Sequence, residues 1–330
     1  MKPLTGVTSV LLKELRAALR GSRAALLLTV YVGLALIAAR LVYGAVAGQI
    51  GSGPPIFSAQ VGQAIFIGLT LTVQGLTVFL APATTVNSVS AEHERRTYDL
   101  LAATPLGPGQ LLVGKLLTGI AFALLLLIAV LPLFSIVLMF GGVTIADILR
   151  VLATVLASAV AGAVLGLFCS ALTRQTYSAT LLCYALLVAL VGGTLLAANF
   201  WSLTHAMEPA PPAYLAANPL SAVGSALART RPPEVLSPEM LRPVVFLSLL
   251  TQGVVVELQG ARVTLPLYRA TLVIYGAVSL ALFWLSLHLV RPRRRWVPDK
   301  ADAAMLAVVL AYGALVALAR PWWEQGVRLP

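Results

Sequence analysis

Long apolar runs dominate the sequence, and each is long enough to cross a lipid bilayer as a helix. Six of them lie at residues 24–47, 61–83, 111–140, 145–172, 177–198 and 270–290. About 20 apolar residues in a helix match the roughly 30 Å hydrocarbon layer of a membrane. Only 11% of the residues are charged, against about 25% in soluble domains. The sequence therefore predicts an all-α polytopic membrane protein.

A weaker seventh run occupies residues 301–319, after a basic linker that starts at residue 291. Lys300 and Arg320 flank this run, and Trp322 and Trp323 follow it as interfacial anchors. We expect a seventh span with an external carboxy terminus. The alternative is an apolar helix on the inner membrane surface.

The basic residues set the expected orientation, because cytoplasmic loops carry an excess of Lys and Arg. The amino terminus is placed inside, residues 84–110 are cytoplasmic and residues 199–269 form an external Pro-rich segment. The basic residues on the cytoplasmic side are then Lys2, Lys13, Arg16, Arg20, Arg23, Arg95, Arg96, Lys115, Arg174, Arg291, Arg293, Arg294, Arg295 and Lys300. Since the net charge of +11 is concentrated at the ends of apolar runs, we expect no nucleic-acid partner.

Residues 1–23 precede the first span and are predicted to hold a helix that lies on the membrane. Lys13, Arg16 and Arg20 share its polar face, opposite an apolar face. A cationic face next to an apolar one suits the headgroup layer of an anionic leaflet. Membrane lipids are therefore expected partners, and a simple charge cluster that sets topology is the alternative.

The segment between the second and third spans has the pattern of a charged amphipathic helix over residues 86–103. Pro105 prevents the helix from continuing. One stripe is formed by Val86, Val89, Thr97, Leu100 and Leu101, and the charged side by Glu92, Glu94, Arg95 and Arg96. A charged helix between two spans on the cytoplasmic side is suited to docking a soluble partner.

This segment resembles the type-2 permeases of ATP-binding cassette (ABC) transporters. The resemblance rests on Glu92, Glu94, Arg95 and Arg96, on Thr97 with Leu100 and Leu101, on Thr104-Pro105-Leu106, and on Gly114-Lys115. It covers residues 1–290, and Asn218-Pro219 matches a weaker feature of the family. The family often has Gly before the Thr, where this chain has Arg96.

The resemblance implies a six-span permease core at residues 24–290 and a coupling helix that sits in a groove of a separate ABC ATPase subunit. Two ATPase copies would bind ATP and Mg, and the permease chain would bind no cofactor. The complex would export an unidentified substrate across the bacterial cytoplasmic (inner) membrane. One six-span half cannot enclose a cavity symmetrically, so a second permease copy, as homodimer or heterodimer, is expected.

No catalytic or metal site is predicted within the chain. Gly109 to Lys115 satisfy the spacing GxxxxGK, but Leu116 stands where a phosphate-binding loop needs Ser or Thr for Mg²⁺. We expect Lys115 to extend toward the inner membrane boundary instead.

Two polar stripes and one small-residue face occur within the spans. The stripes are Gln63, Thr70, Gln74 and Thr77 in the second span, and Tyr177, Thr180 and Tyr184 in the fifth. Each stripe has two interpretations. It lines a transport pathway, or its side chains form hydrogen bonds between helices. Ser158, Gly162 and Gly166 of the fourth span are predicted to pack closely against another helix.

All twelve acidic residues lie in loops or at span edges. Carriers driven by protons or sodium usually need a carboxylate inside the membrane, so energy is expected to come from outside the chain. The alternatives to an exporter subunit are a membrane scaffold or immunity subunit without transport, and an ion-coupled secondary transporter.

Overall fold

A computed structural model of the 330-residue chain describes residues 22–50, 56–96, 108–205, 211–227, 230, 255–258, 261–264, 267–290, 300–324 and 327–328. Six helices in these ranges are long and apolar enough to cross a membrane, and they coincide with the six predicted runs. The predicted all-α polytopic fold is confirmed.

The helices are α1 (Ser22–Ile50), α2 (Ile56–Ala83), α3 (Ser90–Glu94), α4 (Pro108–Phe140), α5 (Ile145–Leu172), α6 (Thr176–Val188), a π-helical segment (Ala189–Gly193), α7 (Thr194–Thr204), α8 (Pro212–Ala216), α9 (Pro219–Leu227), α10 (Leu267–Val290), α11 (Lys300–Leu318) and α12 (Arg320–Glu324). The first four spans are α1, α2, α4 and α5. The fifth span is continuous through α6, the π-helical segment and α7, and the sixth is α10.

The second and fourth spans, α2 and α5, lie at the centre of the bundle. Within their most apolar stretches 61% and 56% of the residues are buried, against 11% in α1 and 17% in the fifth span. Aromatic packing contributes to this centre, since Phe66 of α2 meets Phe134 of α4 edge-on with ring centroids 5.8 Å apart. The remaining helices pack around α2 and α5.

The small-residue face of α5 receives the end of α2, as the sequence predicted. A Cβ atom on Gly166 would lie 2.5 Å from Thr85 Oγ1 and 2.7 Å from Pro82 O. A Cβ on Gly162 would lie 3.3 Å from Pro82 Cδ. Only glycine permits this approach at Gly166, so α5 holds the residues that follow α2 in a fixed position.

A tight turn between the third and fourth spans lies at Gly141 and Gly142. Both have positive φ, 82° and 75°, a conformation that glycine adopts without steric cost. Gln63 of α2 donates from Nε2 to Gly142 O at 3.0 Å. Thr144 and Asp147 then form a reciprocal capping box that starts α5.

The expectation that residues 199–269 form an external segment is wrong for part of that range. The fifth span continues to Thr204, and α9 folds back into the bundle, where Pro219 and residues 221–227 are buried. Gln74 in α2 donates from Nε2 to Pro219 O at 3.1 Å. The short polar side chains and the backbone of α9 find partners among the helices. An element in a Pro-rich stretch can therefore lie at membrane depth.

A small antiparallel sheet, which the sequence did not predict, joins the segment before α10 to the end of the chain. Its strands are β1 (Val255–Leu258), β2 (Ala261–Thr264) and β3 (Val327–Arg328), in the order β1-β2-β3. β1 pairs with β2, and β3 pairs with β2. The carboxy-terminal strand therefore lies at the end of the bundle where α10 begins.

Helix α11 runs antiparallel to α10. His288 Nε2 near the end of α10 is 3.4 Å from Asp302 Oδ1 at the start of α11. Tyr312 donates its hydroxyl to Val273 O at 2.6 Å. Because α11 is shorter and not among the six helices long enough to cross a membrane, the seventh span stays a prediction.

The orientation can be tested by labelling single cysteines in intact cells with an impermeant thiol reagent. In a background where Cys169 and Cys183 are replaced by Ala, we expect Glu324→Cys and Glu234→Cys to label directly. Arg95→Cys should label only after permeabilisation, because its loop is flanked by the basic residues expected inside.

Protection of Glu324→Cys in intact cells would place α11 on the inner surface. Direct labelling of Arg95→Cys together with protection of Glu234→Cys would invert the whole topology.

Candidate functional site

The segment that links the second span to the third is bound on three sides by other spans. We call residues 84–96 the anchored loop. The chain leaves α2 after Ala83, turns through residues 84–89 and forms the single turn of α3. Thr85 donates its hydroxyl to Ala163 O of α5 at 2.7 Å. The loop thus begins with a direct hydrogen bond to the fourth span.

Ser170 of α5 fixes the start of α3. Its Oγ accepts hydrogen bonds from Val89 N at 2.9 Å and from Ser90 N at 3.0 Å, and its side chain is fully buried. The first N–H groups of a helix have no partner within the helix, and Ser170 supplies one. Sequence analysis missed this residue, although it continues the spacing of four set by Ser158, Gly162 and Gly166 by one more turn.

Lys115 of α4 binds the loop from the side of the third span. Its Nζ donates to Ser88 O at 2.6 Å and to Glu92 Oε1 at 2.7 Å, and only 4% of its side chain is exposed. The expectation that Lys115 extends toward the inner membrane boundary stays a prediction, and the structure adds that its buried ammonium is stabilised by a carboxylate and a carbonyl in the loop. Residues 109–115 are helical rather than a phosphate-binding loop.

Glu94 binds the loop to the fifth span. Its Oε1 accepts from Thr176 N at 2.7 Å and its Oε2 accepts from the Thr176 hydroxyl at 2.5 Å. Thr176 is the first residue of α6, and the side chain of the preceding Gln175 makes no cap. The carboxylate therefore caps a helix from another segment, where the helix dipole favours negative charge.

This contact also changes the acidity of Glu94. The hydroxyl of Thr176, and after it the backbone N–H of Thr176, hold the pKa of the Glu94 carboxyl below its ordinary value. A depressed pKa means that the stabilisation is fully present above the pKa of the unfolded chain and is lost as pH falls through the folded pKa. Near neutral pH the carboxylate is ionised and the cap is intact.

Two valines anchor the loop by apolar packing. Val86 is buried with Cys169 of α5 and Cys183 of α6. Val89 is buried with Leu112 of α4 and with Leu287 of α10. The predicted apolar stripe is thus packed against the chain's own spans at these two positions.

The predicted charged face comprises two carboxylates that bind other spans and two arginines, and Glu94 is exposed as both arginines are, whereas Glu92 is half-buried. Glu92 and Glu94 make the contacts described above, and Arg95 and Arg96 are the exposed last residues of the described segment, which we call its tip. Within the described part, our helix prediction for 86–103 is right for Ser90–Glu94 and wrong on either side, because residues 86–89 form turns and Arg96 has φ of 54°. That left-handed conformation favours glycine, the residue that the resembled family often has there. The predicted residues Thr97, Leu100 and Leu101 lie outside the described residues.

The polar stripe of the second span lies inside the bundle. Its predicted members are Gln63, Thr70, Gln74 and Thr77. Gln74 binds Pro219 O of α9, the hydroxyls of Thr77 and Tyr31 are 3.1 Å apart, and Thr70 is fully buried. These are contacts between helices, one of the two interpretations above, and a role in the pathway stays a prediction.

The stripe of the fifth span is divided between two environments. Tyr177 is 77% exposed. Thr180 donates to Asn87 Oδ1 of the anchored loop at 3.2 Å, and Tyr184 donates to Phe79 O at 3.1 Å. The structure therefore brings Thr180 and Tyr184 to the second span and its loop, and it separates Tyr177 from them.

The two remaining predictions concern the interfacial helix and metal binding. Lys13, Arg16 and Arg20 of the predicted interfacial helix lie outside the described residues. Within the ranges that the structure describes, no group of three or more His, Cys, Asp or Glu side chains is arranged to hold a metal ion.

Removal of the Ser170 hydroxyl should destabilise the protein more than removal of a hydroxyl elsewhere in α5. Ser170→Ala leaves two buried N–H groups of the loop without their acceptor, a loss of about 1–3 kcal/mol for such a group. The matched control is Ser158→Ala, because Ser158 is buried and donates only within its own helix, to Thr154 O. Thermal unfolding in detergent should show the larger decrease in Tm for Ser170→Ala, and equal decreases would mean that Ser170 does not anchor the loop.

Comparison with known proteins agrees with this architecture. No curated protein matches the chain. A family model described as ABC-2 family transporter protein matches residues 8–283, which include all six spans except the end of the last, and the whole anchored loop. Proteins of this family are the membrane permeases of ABC transporters and generally work with ATPase subunits. The chain belongs to the ABC-2 transporter family and is a multi-pass membrane permease.

Proposed function

We propose that the chain is the permease subunit of an ABC exporter whose separate ATPase subunits dock on the tip of the anchored loop. The observation that carries this proposal is the division of the charged residues at that loop. Glu92 and Glu94 are engaged within the chain, while Arg95 and Arg96 are exposed beyond the last turn of α3. A fixed base with a free cationic tip suits docking to an acidic groove on a soluble partner.

Energy in this proposal comes from ATP and Mg bound by the two ATPase subunits, and none is bound by the permease. When the ATPase subunits close, they displace the tip of the loop. Ser170, Lys115 and Glu94 connect the loop to the fourth, third and fifth spans. The displacement would therefore reach three spans together.

A complete exporter on this scheme contains two permease copies, as a homodimer or a heterodimer, in the bacterial inner membrane with the amino termini in the cytoplasm. The substrate would pass between the copies and leave outward. Tyr177 is suited to a role at such a surface because its side chain is exposed on the fifth span. The buried stripe of α2 is better suited to holding α1 and α9 in place.

Charge reversal at the tip tests the docking surface. The double variant Arg95→Glu with Arg96→Glu should lose affinity for the ATPase, because like charges placed opposite one another at an interface cost several kcal/mol. Such a cost corresponds to a decrease in affinity of more than about a hundredfold. Pull-down of the ATPase and its stimulation by the permease in nanodiscs measure the effect.

The matched control replaces both arginines by lysine, which keeps the positive charge. Expression and Tm should be unchanged in both double variants, since exposed charges contribute little to folding stability. A well-folded charge-reversed variant that still binds and stimulates the ATPase would remove the basis of the docking proposal.

A further inference from the structure

We infer that the fifth span is the element that carries the movement of the anchored loop to the centre of the permease, with Glu94 and Asn218 as positioning residues at its two connections. This inference rests on the proposed function, because it concerns how a docked ATPase would move the spans. It assigns a role to Thr176, to the π-helical segment and to α9, which the docking proposal leaves without one.

The first connection joins the loop to the start of the span. Both oxygens of the Glu94 carboxylate bind Thr176, one at the backbone N–H and one at the hydroxyl. A second hydrogen bond, from Thr180 to Asn87, lies one turn further along the same helix. A bidentate, charge-assisted contact fixes direction as well as distance, so displacement of the loop displaces the start of α6.

The span is then regular for the thirteen residues of α6, up to the π-helical segment Ala189–Gly193. Segments of this kind interrupt the regular hydrogen bonding of a helix and are frequent at functional sites. A Cβ atom on Gly192 or Gly193 would meet no other atom within 4 Å. Other elements therefore do not pack against the span at these two glycines.

The second connection holds this segment to α9. Asn218 donates from Nδ2 to Val191 O at 2.8 Å and to Thr194 Oγ1 at 2.7 Å. Its Oδ1 accepts from Leu220 N at 2.8 Å and from Ser221 N at 3.3 Å, which caps α9. The Asn218 side chain is fully buried. One amide thus joins the interruption of the fifth span to the first turn of the buried helix.

The start of α9 lies near the middle of the membrane. Its Pro219 O binds Gln74, which is nine residues before the end of α2, or roughly 14 Å along the helix. That is about half of the roughly 30 Å hydrocarbon layer. A bend in the fifth span would therefore displace the start of α9 at mid-depth, among α2, α5 and α10.

A cleft that is partly open to the surroundings lies beside this second connection. A largely apolar cavity of about 250 Å³ is bounded by Pro219, Gly162, Leu187, Leu190 and Tyr275, among others. Packed interiors resist continuous deformation, whereas a cavity next to a bend lets the start of α9 change position without overlap. The loop, the fifth span and α9 thus form one connected path with room to move at its end.

Hydrogen–deuterium exchange tests this path in nanodiscs that contain the permease with its native ATPase. In the wild type, ATP with vanadate should change the exchange of peptides from the anchored loop, from residues 176–194 and from residues 218–227. In Glu94→Gln the loop should still respond, because Arg95 and Arg96 still dock the ATPase, and the change in the other two regions should be smaller than in the wild type. Thr176→Ser keeps the hydroxyl and should behave as wild type.

The second connection is tested in the same complex with Thr194→Val, which removes one acceptor of Asn218 and keeps the volume of the side chain. The response of residues 176–190 should persist while that of residues 218–227 is lost. Asn218→Ala should give the same result if it folds, and Thr194→Val decides the question if it does not.

The outcomes separate the two proposals. Failure of the wild-type permease to bind the ATPase through its loop would contradict the docking proposal. A bound ATPase and a responding loop, with unchanged responses of the fifth span and α9 in Glu94→Gln, would overturn the path proposed here. The absence of any response of residues 176–194 in the wild-type complex would overturn it as well.

Discussion

The architecture depends on how the polar backbone between the second and third spans is satisfied. At this turn the chain leaves one apolar helix and enters another, so its N–H and C=O groups need partners at the edge of the hydrocarbon layer. Ser170 of the fourth span accepts from the backbone of the loop, Lys115 of the third span donates to Ser88 O, and the loop's own Thr85 donates to the fourth span. The loop is consequently part of the helical bundle, although its tip is exposed.

This arrangement explains why acidic and basic residues of the same loop have different roles. A carboxylate near the start of another helix is stabilised by that helix's N–H groups and dipole, and a buried ammonium requires a carboxylate nearby. Within the chain, Glu94 binds the first residue of α6, and Glu92 pairs with the buried ammonium of Lys115. Arg95 and Arg96 meet no such need in the bundle and lie at the tip. The charge pattern along one helix does not predict that the carboxylates bind other spans and the arginines do not.

The sequence predicts the spans well because bilayer thickness sets the length of an apolar run independently of its neighbours. The small-residue face of α5 and the turn at Gly141 and Gly142 could also be predicted, since both depend on local spacing. The partners of Lys115 and Glu94 could not be predicted, because they lie 23 and 82 residues away in the chain. For the same reason the burial of α9 and the pairing of β3 with β2 have no local signature.

The backbone angles at the end of α3 give a physical reason for the glycine in the family pattern. Arg96 has a positive φ, which costs an L-residue other than glycine roughly 1–2 kcal/mol. The resembled permeases often have glycine at that position. The chain keeps the sharp end of the helix with an exposed arginine in place of glycine.

The central claim is that the tip of the anchored loop is the contact point of the ATPase. Photo-cross-linking measures this directly, with benzoylphenylalanine in place of Arg95 in membranes of cells that make the permease together with its native ATPase. The account predicts a single cross-linked product whose mass is the sum of the two polypeptides, and no such product when the same group replaces Tyr177. Cross-linking to the ATPase from Tyr177 and not from Arg95 would contradict it.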